Sequence, residues 1–464
     1  MAEEKRKGWV EESALARIEP GPLAGEVRAV PSKSDAHRLL IAAALADVPT
    51  TLLFEGSSRD IEATIGCLET LGAAVERRRD RVIVTPLEAG GNGQKEPEAR
   101  GALPELDCGE SGSTLRFLLP VAAALGGKTA FTARPGLAAR PLGALKEAME
   151  RQGAVFSRPA LPFTLEGPLC GGLYRLPGNI SSQYISGLLF ALPLLAEDSR
   201  IELSTPLESA GYVEMTLSTL RRFSINIEET ADGYRIPGRQ AYRSPGLVEV
   251  EGDWSNAAFF LTAGALGKGV TVTGLRPDSL QRDREIVSLL RRFGAEIRIE
   301  GDRVTALGGK LVAIEVDAGQ IPDLVPILAV AAAFAEGSTV IRNAARLRIK
   351  ESDRLATVAA MLRGLGASAE ELPEGLLIRG GAESGGKAGG DTFGGDTSGR
   401  GCLAGRLPGG RVDSANDHRI AMAAAIGAAY GAGPTEILDP WAVRKSYPGF
   451  YQDFSELGGK PHVL

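Results

Sequence analysis

The chain has 464 residues, 44% hydrophobic and 24% charged, with a formal net charge of −6. That length exceeds one ordinary core and predicts two domains. The acidic balance, with no basic tail, excludes a broad nucleic-acid surface, and no stretch approaches the roughly 18 apolar residues of a membrane span.

In chain order, the first seven residues carry charge without the apolar core of a signal peptide, so a soluble, cytoplasmic protein is expected. Pro31-Ser32-Lys33-Ser34-Asp35-Ala36-His37-Arg38 then opens an apolar helical segment at 39–46. Ser34 and Arg38 are four apart and share a helix face, with Lys33 at the helix mouth. Hydroxyl, ammonium and guanidinium gathered there suit a phosphate or carboxylate; a capped helix with solvated charges is the plainer alternative. Cys108-Gly109-Glu110-Ser111-Gly112-Ser113-Thr114-Leu115-Arg116 opens the next segment, 115–125, and its glycines let backbone N–H groups approach a ligand. Arg140-Pro141-Leu142 follows one loop later. The four cysteines (Cys67, Cys108, Cys170, Cys402) and three histidines (His37, His418, His462) make no metal spacing, so neither metal nor other cofactor is expected.

Ser181-Ser182-Gln183 precedes the segment 185–196, Asp253-Trp254-Ser255 precedes 257–266, Asp323 precedes 324–335, and Asp417-His418-Arg419 precedes 420–430. Between the last two lies Arg348-Ile349-Lys350-Glu351-Ser352-Asp353-Arg354, which places Lys350 and Arg354 on one helix face. Near the end stands Arg444-Lys445-Ser446-Tyr447-Pro448. Runs at 81–84, 270–272 and 312–316 read as strands.

The six apolar segments repeat in step with a second marker, a helix ending in Leu-X-X-Leu-Gly-Ala or a loose copy of it. The marker recurs at 68–73, 149–154, 220–225, 290–295, 362–367 and 454–459, with Gly72, Gly153, Ser224, Gly294, Gly366 and Gly459 at the glycine place. The polar segment 89–101 and the glycine-rich 380–401, with ten glycines in 22 residues, read as insertions, the second flexible and without a catalytic part. Serine and aspartate are good helix caps, which alone explains a polar start. Six buried helices aimed at one cleft would add six positive dipole ends, a setting for anions. The first three starts carry Lys, Ser and Gly and the last three carry Asp, which suggests two facing three-repeat halves. Two halves lined with cations would stay apart until an anion lies between them.

The ordered set Ser-Lys-Ser-X-X-X-Arg, Gly-X-Thr-X-Arg, Arg-Pro, Ser-Ser-Gln-Tyr, Glu-Gly-Asp, Ile-Pro-Asp, Arg-X-Lys-Glu-Ser-Asp-Arg, Asp-His-Arg and Arg-Lys-Ser-Tyr-Pro strongly resembles the 5-enolpyruvylshikimate-3-phosphate synthases, from about residue 20 to the end. The resemblance implies a two-domain inside-out α/β barrel, each domain of three βαβαββ repeats around buried helices. The domains would be 32–250 and 1–31 plus 251–464. It implies transfer of the enolpyruvyl group of phosphoenolpyruvate to the 5-hydroxyl of shikimate-3-phosphate by a monomer, and the step in aromatic biosynthesis that glyphosate targets. By resemblance, Lys33, Ser34, Arg38, Ser181, Ser182, Gln183, Ser209, Tyr212, Asp323 and Lys350 meet shikimate-3-phosphate. Lys33, Gly112, Arg140, Gln183, Arg354, Arg419 and Lys445 meet phosphoenolpyruvate. Asp323 matches the base facing the 5-hydroxyl and Glu351 the acid serving the enol carbon, with Lys33 shared between the substrates. Two residues depart from the pattern: Glu110 and Arg346 stand where relatives often have asparagine. UDP-N-acetylglucosamine enolpyruvyl transferase, the nearest rival, carries a cysteine before its Arg-Pro, and residues 131–140 contain none. A non-catalytic anion-binding module of the same fold is the other alternative.

Overall fold

A computed structural model describes residues 15–87, 103–381 and 407–463. The segment 89–101 and all but the first two residues of 380–401 lie outside the described residues.

Six helices form the buried framework: α1 (Lys33–Ala44), α2 (Gly112–Leu125), α3 (Ser182–Ala191), α4 (Trp254–Leu266), α5 (Val325–Phe334) and α6 (His418–Ala429). Every residue of α4 and α5 is buried. Leu, Ile, Val and Phe make up much of both, and each such side chain contributes about 1.5–3 kcal/mol on full burial. α3 stops at Ala191, earlier than its apolar run suggests, because Pro193 has no N–H to extend it and a 3-10 turn takes over at Leu192–Leu194. Gly187 sits where α3 meets the α2 backbone: a Cβ there would lie 2.2 Å from the Arg116 carbonyl. That close approach brings the mouths of α2 and α3 side by side.

Around the helices lie six four-stranded sheets, each with one parallel pair and two antiparallel pairs. The parallel pair normally flanks a buried helix, as Glu105–Asp107 and Lys128–Thr132 flank α2. α1 and α4 break this rule together. The strand before α1, Gly25–Arg28, pairs with Val270–Thr273, which follows α4. The strand before α4, Leu247–Glu249, pairs with Thr50–Leu53, which follows α1. Pro31 and Gly252 are bridged antiparallel where the chain crosses, with Ser32 N–H donating to Glu251 O (2.7 Å) and Asp253 N–H to Val30 O (2.8 Å). Two apolar clusters result, one from residues 36–250 and one from 16–27 together with 254–457. The architecture is mixed α/β of the two-domain inside-out kind. The expected strand at 312–316 is shorter: Glu315–Asp317 pairs, while Val312 makes only an isolated bridge to Glu336.

The helix-end marker has one geometry throughout. In each copy the sixth residue donates its N–H to the carbonyl of the first, as Ala73 does to Leu68 and Ile225 to Leu220. The residue before it is left-handed, the arrangement in which glycine costs least. Ser224 adopts φ 63° and fills that place without glycine. In the last copy the left-handed residue is Gly458 (φ 97°), not Gly459, which donates to Phe454 O in the place alanine holds elsewhere.

Candidate active site

The helix starts are built by local capping chemistry. Ser32, Ser111, Ser181, Asp253 and Asp417 each accept a hydrogen bond from a backbone N–H within the first turn. Asp323 is different. It lies in a 3-10 turn, Pro322–Leu324, and α5 begins with no side-chain cap, so its carboxylate is free for other partners. Those partners are cationic: Asp323 accepts from Arg354 (2.8 Å) and Arg419 (3.0 Å), with Lys350 Nζ at 3.7 Å. The Tyr212 hydroxyl donates to it as well (2.9 Å). Burial pushes the Asp323 carboxyl up, but Arg419, Lys350 and Arg354 outweigh it and hold it well below the usual carboxylate range.

Arg354 is 1% exposed and serves three carboxylates at once: Asp323, Glu351 (2.6 Å) and Asp417 (2.7 Å). Glu351 also faces Arg140 at 3.8 Å. Burial raises Glu351, but Arg354, Arg140 and Lys350 outweigh it and bring it well below its ordinary value. Burial lowers Lys350 to about 8, against the opposing pull of Asp323.

From the other wall, Lys33 Nζ pairs with Asp60 (2.8 Å), and its backbone N–H donates to Asp253 across the crossover (3.2 Å). Arg38 is tied down by Thr216, the Ser34 carbonyl and the Tyr212 carbonyl, and burial lowers it to about 10. Gln183 is fixed between Arg116 and Ser113, 3.0 Å from each. A Cβ on Gly112 would lie 2.5 Å from Arg116 Nη1 and 2.9 Å from Arg140 Nη1, so this glycine lets two guanidinium groups crowd the mouth of α2.

These side chains enclose one cavity. Of the sequence-selected residues, Lys33, Ser34, Arg38, Gly112, Arg140, Ser181, Ser182, Gln183, Tyr212, Asp323, Lys350, Glu351 and Arg419 line it. Three do not. Arg354 lies behind Asp323 and Glu351, orienting both. Ser209, left-handed at φ 52° and buried, accepts from Arg346 (2.9 Å). Lys445 is drawn aside to Glu110 (3.0 Å) and the Asn416 carbonyl (2.5 Å).

Sequence reasoning missed Asp60, Asp283 and Arg116 in the lining. Asp283 sits in Arg282–Glu285, which reads as a solvated charge run, yet it is buried, with the Tyr212 hydroxyl 3.4 Å away; burial and then Asp323 raise it to about 7. The halves also meet differently from the like-charge expectation. Carboxylates and cations pair across the cleft, as Glu351 with Arg140 and Glu110 with Lys445.

Among the described residues the Nε atoms of Arg140, Arg346 and Arg419 and both ring nitrogens of His418 are buried without a hydrogen-bond partner. The cations that line the cleft, Lys33, Arg38, Arg140, Lys350 and Arg419, suit it to oxygen-rich anions. Burial, reinforced by Lys33 and Arg419, holds His418 well below its ordinary value and so neutral.

The family model for EPSP synthase (3-phosphoshikimate 1-carboxyvinyltransferase) matches residues 18–454. A 3-phosphoshikimate 1-carboxyvinyltransferase of Clostridium kluyveri is 40% identical over 448 residues, covering 96% of this chain and 97% of that protein. One of Clostridioides difficile is 38% identical, covering 96% and 97%. An EPSP synthase structure from Acinetobacter baumannii superposes with TM-score 0.76 at 25% identity, covering 97% of this chain and 100% of that one. The enolpyruvyl transferase NikO from Streptomyces tendae shares the fold (TM-score 0.72, 19% identity, 97% and 99% covered).

Proposed function

We infer the roles of individual residues from the premise that the chain belongs to the EPSP synthase family, the 3-phosphoshikimate 1-carboxyvinyltransferases. The enzyme transfers the enolpyruvyl group of phosphoenolpyruvate to the 5-hydroxyl of shikimate-3-phosphate and releases phosphate, a step of the shikimate pathway. One observation carries the assignment of roles: Arg354 holds Asp323 and Glu351 together, 2.8 and 2.6 Å from its nitrogens, at a wall lined by Lys350 and Arg419, with Arg140 facing Glu351 from across the cleft.

Asp323 takes the proton of the 5-hydroxyl and Glu351 delivers one to the methylene carbon of the donor. Both are ionised while the chain's own cations surround them. Substrate phosphates and carboxylates that engage Arg140, Lys350 and Arg419 weaken that stabilisation, and both carboxyls rise toward values at which protons move. Ser181, Ser182, Ser34 and Arg38 hold the shikimate phosphate side, supported by Ser209 and Tyr212. Lys33, Gly112, Gln183, Arg140, Arg419 and Lys445 receive the donor, with Arg354 acting on it from behind Asp323 and Glu351; arginine forks suit both of its anionic groups. Addition gives a tetrahedral ketal phosphate; its methyl group then returns a proton to Glu351 as phosphate leaves, which restores the enol ether. The two bodies that close on the substrates are 32–250 and 1–31 plus 251–464, a division supported by the two apolar clusters and the bridge between Pro31 and Gly252. The enzyme works as a monomer in the cytoplasm; no described helix is long and apolar enough to cross a membrane.

The test is phosphate release from phosphoenolpyruvate. It should depend on shikimate-3-phosphate and be absent with UDP-N-acetylglucosamine. Release with the sugar nucleotide alone would reverse the assignment.

A further inference from the structure

Glu110 is a carboxylate placed where it can be mistaken for part of a ligand. It lies two residues before Gly112 in the turn leading into α2, while its partners come from the opposite wall. Lys445 Nζ is 3.0 Å from one of its oxygens, and the Asn416 amide donates to the other at 2.8 Å. Lys445 also donates to the Asn416 carbonyl (2.5 Å), which the left-handed backbone of Ala415 and Asn416 (both φ 52°) turns toward it. A carboxylate gripped at both oxygens by an ammonium and an amide is held as an anionic ligand is held. Lys445 is 4% exposed and lies outside the lining of the cavity.

We propose that Glu110 is an internal competitor for the donor's anionic group, a specificity-determining residue that sets how tightly phosphoenolpyruvate binds by occupying Lys445 until the donor displaces it. This rests on the reading of Lys445 as a donor receptor. Two effects act in opposite directions. The Glu110–Lys445–Asn416 contact draws the walls together, which favours closure. It also ties up the ammonium and sets a negative charge beside an incoming dianion. The second effect dominates, because Arg346 with Ser209, Tyr212 with Asp323 and Arg140 with Glu351 join the walls independently, whereas among the described residues Glu110 is the carboxylate paired with Lys445.

The test is steady-state kinetics of Glu110→Gln and Glu110→Asn, with thermal melts to confirm folding, beside Lys445→Met and the double variant Glu110→Gln/Lys445→Met. Glutamine keeps length and an acceptor while removing the charge. The KM for phosphoenolpyruvate should fall roughly three- to thirtyfold in Glu110→Gln, the range between an exposed and a buried ion pair, while the KM for shikimate-3-phosphate holds. Lys445→Met should raise the donor KM, and in its background Glu110→Gln should have a much smaller effect. A raised Lys445→Met KM with an unchanged or higher Glu110→Gln KM would overturn the competitor and leave the receptor reading intact. An unchanged KM in Lys445→Met would overturn both.

Discussion

Asp323 is distinguished by what it does not do. Five of the six buried helices are capped by a Ser or Asp that accepts from a backbone N–H of the first turn; Asp323 caps nothing and turns from its helix to three cations and a tyrosine. Asp323→Asn, nearly isosteric and unable to take the proton, should lower turnover by roughly two to four orders of magnitude in a phosphate-release assay, with the fold intact by thermal melt. A variant with near wild-type turnover would remove Asp323 from the chemistry. Lys350 gives a pH signature. It carries its charge below about 8 and loses it as the pH rises through that value, so affinity for shikimate-3-phosphate should fall about tenfold on the alkaline side. Arginine stays charged there, so Lys350→Arg should flatten that limb; an identical limb in both would assign it elsewhere. The motif residues were legible because their order in the chain is specific. Asp283 and Asp60 were not, because a single aspartate in a charged stretch carries no sign that the packing will bury it.

At the scale of elements, uninterrupted apolar runs identified all six buried helices, since a helix buried on every side needs no polar face. Their ends were legible to within a few residues, and Pro193 and the 3-10 turn before α5 account for the differences. The sheets were less so: short strands with polar outer faces give weak alternation, and a parallel partner is chosen by tertiary packing rather than by neighbours in sequence. The helix-end marker lends itself to measurement. Ser224 pays for a left-handed backbone that its five counterparts fill with glycine. Ser224→Gly should stabilise the protein by about 0.5 kcal/mol, the strain relieved less the greater freedom of the unfolded glycine, read as a rise in denaturation midpoint. A fall would show that the serine side chain contributes more than its strain costs.

At the scale of the molecule, opposed charges are paired across the cleft, Glu351 with Arg140 and Glu110 with Lys445. Shikimate-3-phosphate, held from both walls, should shift the population toward the closed form and bring phosphoenolpyruvate in more tightly, each ligand raising the other's affinity by one factor. Small-angle scattering at saturating shikimate-3-phosphate should show a smaller radius of gyration, and an unchanged radius would count against closure. The exchange of strands at Pro31 and Gly252 has a further consequence, in the order of synthesis. Everything that 32–250 needs for its three sheets has been made once the ribosome passes the crossover, Leu247–Glu249 included. The strands that precede it have not met their partners: Gly25–Arg28 waits for Val270–Thr273, and Leu15–Glu19 waits for Thr435–Leu438 and Lys460–Val463 near the end of the chain. Stalled nascent chains released just beyond residue 252 should therefore already yield a protease-resistant fragment beginning near Ser32, with the amino-terminal strands still cleaved. Resistance appearing only in the full-length chain would mean that the second half must template the first.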